Sequence, residues 1–296
     1  MTNIHPEYRQ LYIIGNGFDR HYGVQSSYKH FSEYLRRTSP GLHDHLETVF
    51  QGDLWMDFEK ALGEIALGDL FDNIFGFFGE YEDDPYKLEK DLVAWDCQQE
   101  TVQSILNYPR LEELFTSWVE SIVLPSEGFG DELIRDDDSM LYLSFNYIET
   151  LEIGFGVDPN RIHYIHGKRN TSDVLVIGHE PINVEQPSMA RQWHAKDEIE
   201  STWIHFLKQS EKQTSAIINW SRSFFEKLSS IESVIVIGLS CADVDLPYIR
   251  KVKESVSDSC SWSYYQYNQP SGQAMEKRTA GIIDNWKVLY YPNSHS

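Results

Sequence analysis

The 296-residue sequence is acidic, with a formal net charge of −21, 41% hydrophobic residues and 14% aromatics. That charge argues against a broad, sequence-independent grip on nucleic-acid phosphates, which needs clustered Lys and Arg. No apolar run approaches the ~20 residues that cross a bilayer.

The start, Met1 to Gln10, is polar and lacks the basic-then-apolar layout of a signal peptide, so the protein reads as cytoplasmic. The first predicted element is a strand from Leu11 to Ile14, apolar on both faces, and Gly15-Asn16-Gly17 follows it, then Phe18 and Asp19. Glycines there allow a close backbone approach to phosphate oxygens, or simply a tight turn from strand to helix. Asp19 is suited to a ribose hydroxyl or to capping the helix that follows. The third glycine of a G-x-G-x-x-G pattern is missing, and only Gly23 lies beyond.

From Ser26 to Ser139 no strand is convincing. Apolar residues recur there at three- and four-residue spacing, as in Trp55, Phe58, Leu62 and Ile65, and again in Leu111, Leu114, Phe115, Trp118 and Ile122. This predicts a helical insertion packed on the sheet. Its acidic end, Glu127 to Ser139, is expected to be a surface loop.

Strands resume at Leu141 to Phe145, which runs into Asn146, and at Ile162 to Ile165, which runs into His166 and Gly167. Asn146 carries both a donor and an acceptor, so it can orient a water and a sugar hydroxyl, or cap the next helix. His166 at a strand end is either a base titrating near neutral pH or a structural histidine. A strand from Val174 to Ile177 precedes His179-Glu180, and a second helical stretch covers about Lys196 to Leu228. The strand Val234 to Ile237 leads to Gly238 and Ser240, suited to a further phosphate or ribose contact. Asp243 and Asp245 beyond it serve the same site or cap a helix. Trp262 to Tyr267 and Val288 to Tyr291 complete the predicted strands.

These strands ending in polar turns describe a Rossmann-like α/β domain with a mainly parallel sheet. It spans 1–296 as one domain, with the helical insertion at about 26–139 between the first two strands. No metal is expected: His179, Glu180, His194 and His205 lack H-E-x-x-H spacing, and Cys97, Cys241 and Cys260 are too few and too scattered for a four-cysteine site. All three cysteines read as reduced thiols.

Taken in order, the glycine turn, the Asn, the His-Gly and the Gly-x-Ser resemble the sirtuin fold. More closely, the chain resembles the bacteriophage abortive-infection AbiH family, a divergent sirtuin-like group. The matching pieces are IIGNGFD, GVQSSY at Gly23 to Tyr28, WMDFE at Trp55 to Glu59, SFNYIETLE, IHGK, VIGHE and VIGLSCADVD.

The resemblance implies NAD as the substrate, bound by Gly15, Asn16, Gly17, Phe18, Asp19, Gly238 and Ser240, and Asp243 is the further cofactor-binding candidate from the residues themselves. It makes Asn146 and His166 the catalytic pair. Three departures stand out: Ile148 occupies the place of the sirtuin acid two residues after the Asn, Gln25 replaces a proline, and no four-cysteine zinc module exists. The last argues against protein deacylation and for an NAD glycohydrolase that depletes NAD on infection. The alternative is a non-catalytic subunit that senses NAD, ADP-ribose or a related nucleotide, and a third reading is a purely structural subunit. A homo-oligomer or a partner defence protein is expected, without a membrane and without nucleic acid.

Overall fold

The computed structural model describes residues 8–50, 54–65, 102–130, 133–182 and 194–291, the first six of the last stretch by backbone alone. In chain order the elements begin with β1 (Gln10–Ile14), α1 (Asn16–His21), α2 (Tyr28–Thr38), α3 (Pro40–Val49), α4 (Phe58–Gly63) and α5 (Tyr108–Ser121). Next come β2 (Met140–Ser144), α6 (Thr150–Phe155), β3 (Ile162–Tyr164), α7 (His194–Gln209), α8 (Thr214–Trp220) and α9 (Arg222–Phe225). The chain closes with β4 (Ser233–Ile237), α10 (Leu246–Ser255), β5 (Ser261–Gln266), α11 (Gln269–Arg278) and β6 (Trp286–Tyr290). The predicted His194 falls in the part of α7 given by backbone alone, and Cys97 lies outside the described residues.

Two compact units result. One comprises Met1–Ser27, Val119–Val176 and Gln213–Ser296, the other Tyr28–Trp118 and Ile177–Lys212. The first holds a six-stranded sheet in the order β3-β2-β1-β4-β5-β6, with every neighbouring pair parallel. The order reverses between β1 and β4. In open parallel sheets, ligand crevices lie outside the carboxyl ends of the strands at such a point.

The central strands are apolar on both faces because helices and loops cover both. Leu11, Ile13, Leu141, Leu143, Val234 and Val236 share one core cluster with Ile217, Phe224, Phe225, Tyr248 and Ile249. Tyr12, Ile14, Tyr142 and Ile237 share the other with Phe18, Leu151, Leu133 and Ile134. Each such side chain contributes about 1.5–3 kcal/mol by leaving water. At the edges β3 and β6 are only half covered, and their sequences IHY and WKVLY are correspondingly mixed.

One strand expected from the sequence does not form. Val174 to Ile177 is extended but joins no ladder. Val174 is 72% exposed, and the backbone of the segment is used locally: Val176 N donates to His166 O at 2.9 Å, and the Tyr147 hydroxyl donates to Val176 O at 2.8 Å. The expected acidic surface loop is anchored, since Leu133 and Ile134 are buried and Asp136 takes two 2.6 Å bonds from Arg161.

The helical unit is organised around Phe31. Its ring lies 5.2–6.2 Å from those of Trp118, Phe115, Phe58 and Trp55. In the same unit the fully buried Lys212 ammonium lies 2.7 Å from Glu59, which also accepts from Gly178 N at 3.3 Å. That contact uses the WMDFE and VIGHE pieces within one fold unit. Among the described residues, no helix is long and apolar enough to cross a membrane.

Candidate functional site

The predicted site residues of the first unit collect at the carboxyl edge of β1, β2, β3 and β4. The β1 loop packs backbone to backbone on the β4 loop. Gly15 N donates to Ile237 O at 2.9 Å and Gly17 N to Gly238 O at 2.8 Å. A Cβ on Gly15 would lie 2.6 Å from Leu239 Cα, and one on Gly17 would lie 2.8 Å from Gly238 Cα. Gly238 has φ +68°, and its Cβ would lie 2.1 Å from Phe18 N. All three positions therefore need glycine for loop-on-loop packing, whatever else they bind.

Asn16 is engaged as well: its Nδ2 donates to Ser26 O at 2.9 Å and its Oδ1 accepts from the Ser26 hydroxyl at 2.6 Å. Phe18 is a core residue, with its ring against Tyr22 and Phe155. The helix α1 begins at Asn16, immediately after Gly15, so Asp19 lies within it and caps no later helix. Its side chain turns inward and is 1% exposed.

Asn146 stands just past β2 and is 4% exposed. Its Nδ2 donates to Gly15 O at 3.1 Å, tying the β2 loop to the β1 loop, and its backbone N donates to the Ser144 hydroxyl oxygen at 3.2 Å. The N-cap of α6 is Glu149, so Asn146 does not cap that helix. Asp19, Asn146 and Thr150, the first residue of α6, form one buried cluster. Burial pushes the Asp19 carboxyl up to about 7, while the Thr150 hydroxyl, the Asn146 amide and the Arg169 charge pull it down and Glu149 pushes it up. None of these reaches Asp19 with the geometry of a formed hydrogen bond. Both carboxyl oxygens, Asn146 Oδ1 and Thr150 Oγ1 have no hydrogen-bonded partner among the described residues. Buried polar atoms are rarely left so in native proteins.

His166 follows β3 and is 3% exposed. Phe145 and Tyr248 meet its ring edge-on, with centroids 5.3 and 5.4 Å away, and Tyr147 lies at 6.2 Å. The alternation of β3 carries His163 elsewhere. That ring stacks on Phe224 at 4.7 Å, its Nε2 is 2.8 Å from the Ser221 hydroxyl, and burial lowers its pKa to about 4. Ile148 is buried at 3%. Asp243 is exposed, and neither the short helical turn Asp243–Asp245 nor α10 begins with a side-chain cap bond.

A cleft of about 450 Å³ lies beside the β1–β4 junction, lined by Gly17, Gly238 and Ser240 among the expected site residues but not by Asp19, Asn146 or His166. Gly17, Arg20 and His21 of α1, Gly238, Leu239 and Ser240 of the loop after β4, and Tyr264, Tyr265, Tyr267 and Tyr291 line it. Ser271, Gly272, Met275 and Arg278 come from one face of α11, a run of roughly 10 Å at 1.5 Å per residue. Arg278 donates to Ser240 O at 3.0 Å, and the Tyr264 hydroxyl donates to Glu276 at 2.8 Å. None of the described lining residues is acidic, although the chain has 46 Asp and Glu against 25 Lys and Arg. The only hint in the sequence was the tyrosine run SYYQY ahead of Asn268-Gln269-Pro270, which starts α11 with a capping box.

Among the described residues, no group of three His, Cys, Asp or Glu could hold a metal ion. The two nitrogens of His179 lie 2.6 Å from Glu180 O and 3.0 Å from Leu207 O, which occupies the ring with backbone contacts. Cys241 and Cys260 are free, buried thiols.

The family model for bacteriophage abortive infection AbiH matches residues 11–266. That is most of the chain, and the chain belongs to this family. No curated protein and no solved structure gives a match.

Proposed function

We propose that this member of the bacteriophage abortive infection AbiH family binds NAD at the carboxyl edge of its sheet and cleaves it as a defence effector. The observation that carries the reading is the acid-free cleft, with Arg20, Arg278 and four tyrosines, in a chain of net charge −21. Such a lining suits a ligand that is both aromatic and anionic. Tyrosine faces accept a flat base, and guanidinium groups match phosphate oxygens. A volume near 450 Å³ falls within the range of small-ligand sites.

Three further features support a dinucleotide. The sheet order β3-β2-β1-β4-β5-β6, all parallel, is the order of the doubly wound Rossmann sheet. The cleft opens where that order reverses. The sequence also resembles sirtuins in the spacing of its glycine turn, Asn146, His166 and Gly238 to Ser240.

Cleavage breaks the bond between the nicotinamide nitrogen and the ribose carbon. Nicotinamide leaves with the electron pair, water adds to the anomeric carbon, and one proton is released. The unpartnered Oδ1 of Asn146 is the acceptor that orients the water and the ribose hydroxyls. His166 takes the proton, a role worth ~10²–10⁴-fold in rate. Because Phe145 and Tyr248 enclose His166, this step requires those rings to part.

That same enclosure favours a second reading, in which the chain senses NAD, ADP-ribose or a related nucleotide without cleaving it. Titration calorimetry of the purified chain with NAD tests the shared premise. Binding that weakens at least ~10-fold in Arg278→Ala supports it. Absence of binding, or affinity untouched by Arg278→Ala and Arg20→Ala, removes the cleft as the nucleotide site.

A further inference from the structure

Two contacts that a dinucleotide ordinarily finds in a parallel sheet of this order are closed off here. The first is the row of amides at the β1 turn, which in such folds points at the diphosphate. Gly15 N donates to Ile237 O at 2.9 Å, Gly17 N to Gly238 O at 2.8 Å and Phe18 N to Gly15 O at 2.9 Å. With those donors spent on carbonyls, the strong anion donors of the cleft are side chains. The second contact is the carboxylate past the second strand that takes the hydroxyls of the NAD ribose. Beyond β2 stand Phe145 and Asn146, both buried, and the Asn146 amide is bonded to Gly15 O at 3.1 Å. None of the described lining residues is an acid that could replace it. Glu276, the acid of α11 that reaches Tyr264, accepts that tyrosine's hydroxyl at 2.8 Å.

The cleft offers guanidinium groups instead. Arg20 belongs to α1, which begins immediately after Gly15, and Arg278 to the last turn of α11. Both are exposed, and neither forms an ion pair among the described residues. In a chain with 46 acidic side chains against 25 basic ones, two unpaired arginines on one acid-free cleft call for an anion. The bond from Arg278 to Ser240 O, at 3.0 Å, sets its side chain on the loop after β4 and leaves its remaining N–H groups to a ligand. Arg278 also stands on the side of the tyrosines, because α11 packs closely on Tyr264: a Cβ on Gly272 would lie 2.7 Å from the Tyr264 hydroxyl. That is the side of the base and its ribose, whereas Arg20 stands beside the turn.

We propose that Arg278 is the specificity-determining residue of the cleft, and that the cleft prefers a dinucleotide with a phosphate monoester on its adenosine ribose, the NADP class, to NAD itself. Arg20 holds the diphosphate that the turn amides do not, and Arg278 takes the ribose phosphate. To Arg278 the NAD ribose presents two neutral hydroxyls. A monoester presents three oxygens and about −1.5 to −2 charges at neutral pH, in a shape that pairs with a guanidinium. This rests on the reading of the cleft as the dinucleotide site.

Titration calorimetry of the full chain with NADP and with NAD tests it. Wild type is expected to bind NADP ~10-fold or more tighter than NAD, as an ion pair outdoes bonds to hydroxyls. In Arg278→Ala both weaken, NADP by the larger factor, and the ratio is expected to fall to within ~2-fold. In Arg20→Ala both weaken together and the ratio holds. Adenosine 2′-monophosphate against adenosine repeats the comparison with no diphosphate and no nicotinamide bond to cleave. NAD bound as tightly as NADP in wild type overturns the inference and leaves the cleft as the NAD site. A ratio undiminished in folded Arg278→Ala overturns the role of Arg278, and the wild-type ratio alone decides if that variant does not fold. Binding of neither dinucleotide removes the cleft as the nucleotide site, and the inference with it.

Discussion

Gly17 and Gly238 meet with no side chain between them: the amide of one donates to the carbonyl of the other at 2.8 Å. A Cβ on Gly17 would lie 2.8 Å from Gly238 Cα, and one on Gly238 would lie 2.1 Å from Phe18 N. The glycines of the β1 turn thus serve the joint between the two central loops. Gly17→Val is expected to lower the melting temperature, and not only to weaken nucleotide binding. Gly238→Ala also forces a residue with a Cβ into the left-handed backbone at φ +68°, a cost of about 1–2 kcal/mol. Urea unfolding checks both, and a wild-type midpoint in Gly238→Ala would mean that the loops do not pack this way.

The arginines of the cleft make a separable prediction. Arg20→Ala and Arg278→Ala should each weaken NAD binding while leaving adenosine, which has no phosphate, almost unchanged. The NAD affinity should also fall with added salt, as expected for phosphate held by cations. Calorimetry with both ligands at two salt concentrations decides this. Equal losses for adenosine and NAD would assign the arginines to packing.

Two buried groups give opposite pH effects on stability. His163 is neutral when folded, with a pKa near 4 against an ordinary 6.5. The unfolded chain binds its proton first, so its contribution is full above pH 6.5 and is lost as pH falls toward 4. Between pH 7 and 5 this amounts to about 2 kcal/mol. Asp19 is protonated when folded up to about pH 7 but ionised when unfolded above 3.8, so its contribution is lost as pH rises through that window. Asp19→Asn is therefore expected to stabilise the fold at pH 8, by on the order of 2–4 kcal/mol. His163→Gln should remove its part of the acid sensitivity. Chemical unfolding at pH 5, 7 and 8 measures each against wild type, and a destabilised Asp19→Asn at pH 8 would contradict the buried, raised carboxyl.

Much of the sheet was legible because its central strands are short apolar runs that end in Gly, Ser or Asn. Leu11 to Ile14 and Val234 to Ile237 are such runs, and they are β1 and β4 within a residue. Val174 to Ile177 has the same composition but a single covered face, and composition alone does not reveal that its neighbours are a turn and a hydroxyl. The strand-end residues were also legible as positions, since Asn146 and His166 do follow β2 and β3. Their burial was not, because Tyr248 and Gly15, which cover or hold them, lie far away in the chain. The cleft was missed for the same reason: Arg20 and Arg278 become neighbours of one site only when β1, β4 and β5 are side by side.

Burial changes how the proposed roles of Asn146 and His166 must be tested. His166→Ala removes a ring packed against Phe145 and Tyr248 and is expected to cost about 2–4 kcal/mol, so folding must be verified before activity is judged. Asn146→Ala is the companion probe, because Asn146→Asp would set a second buried carboxyl beside Asp19 and against the Gly15 carbonyl. His163→Ala is the control that should lose stability, through Phe224 and Ser221, while sparing the chemistry.

The most direct test of the account is nicotinamide release, followed by chromatography on purified chain with NAD and on extracts of phage-infected cells. The account predicts release by wild type, in vitro or upon infection, and its loss in folded Asn146→Ala and His166→Ala. If NAD stays level in infected cells carrying wild type, while folded Asn146 and His166 variants still protect against phage, the NAD-cleaving account is contradicted and the nucleotide-sensing reading replaces it.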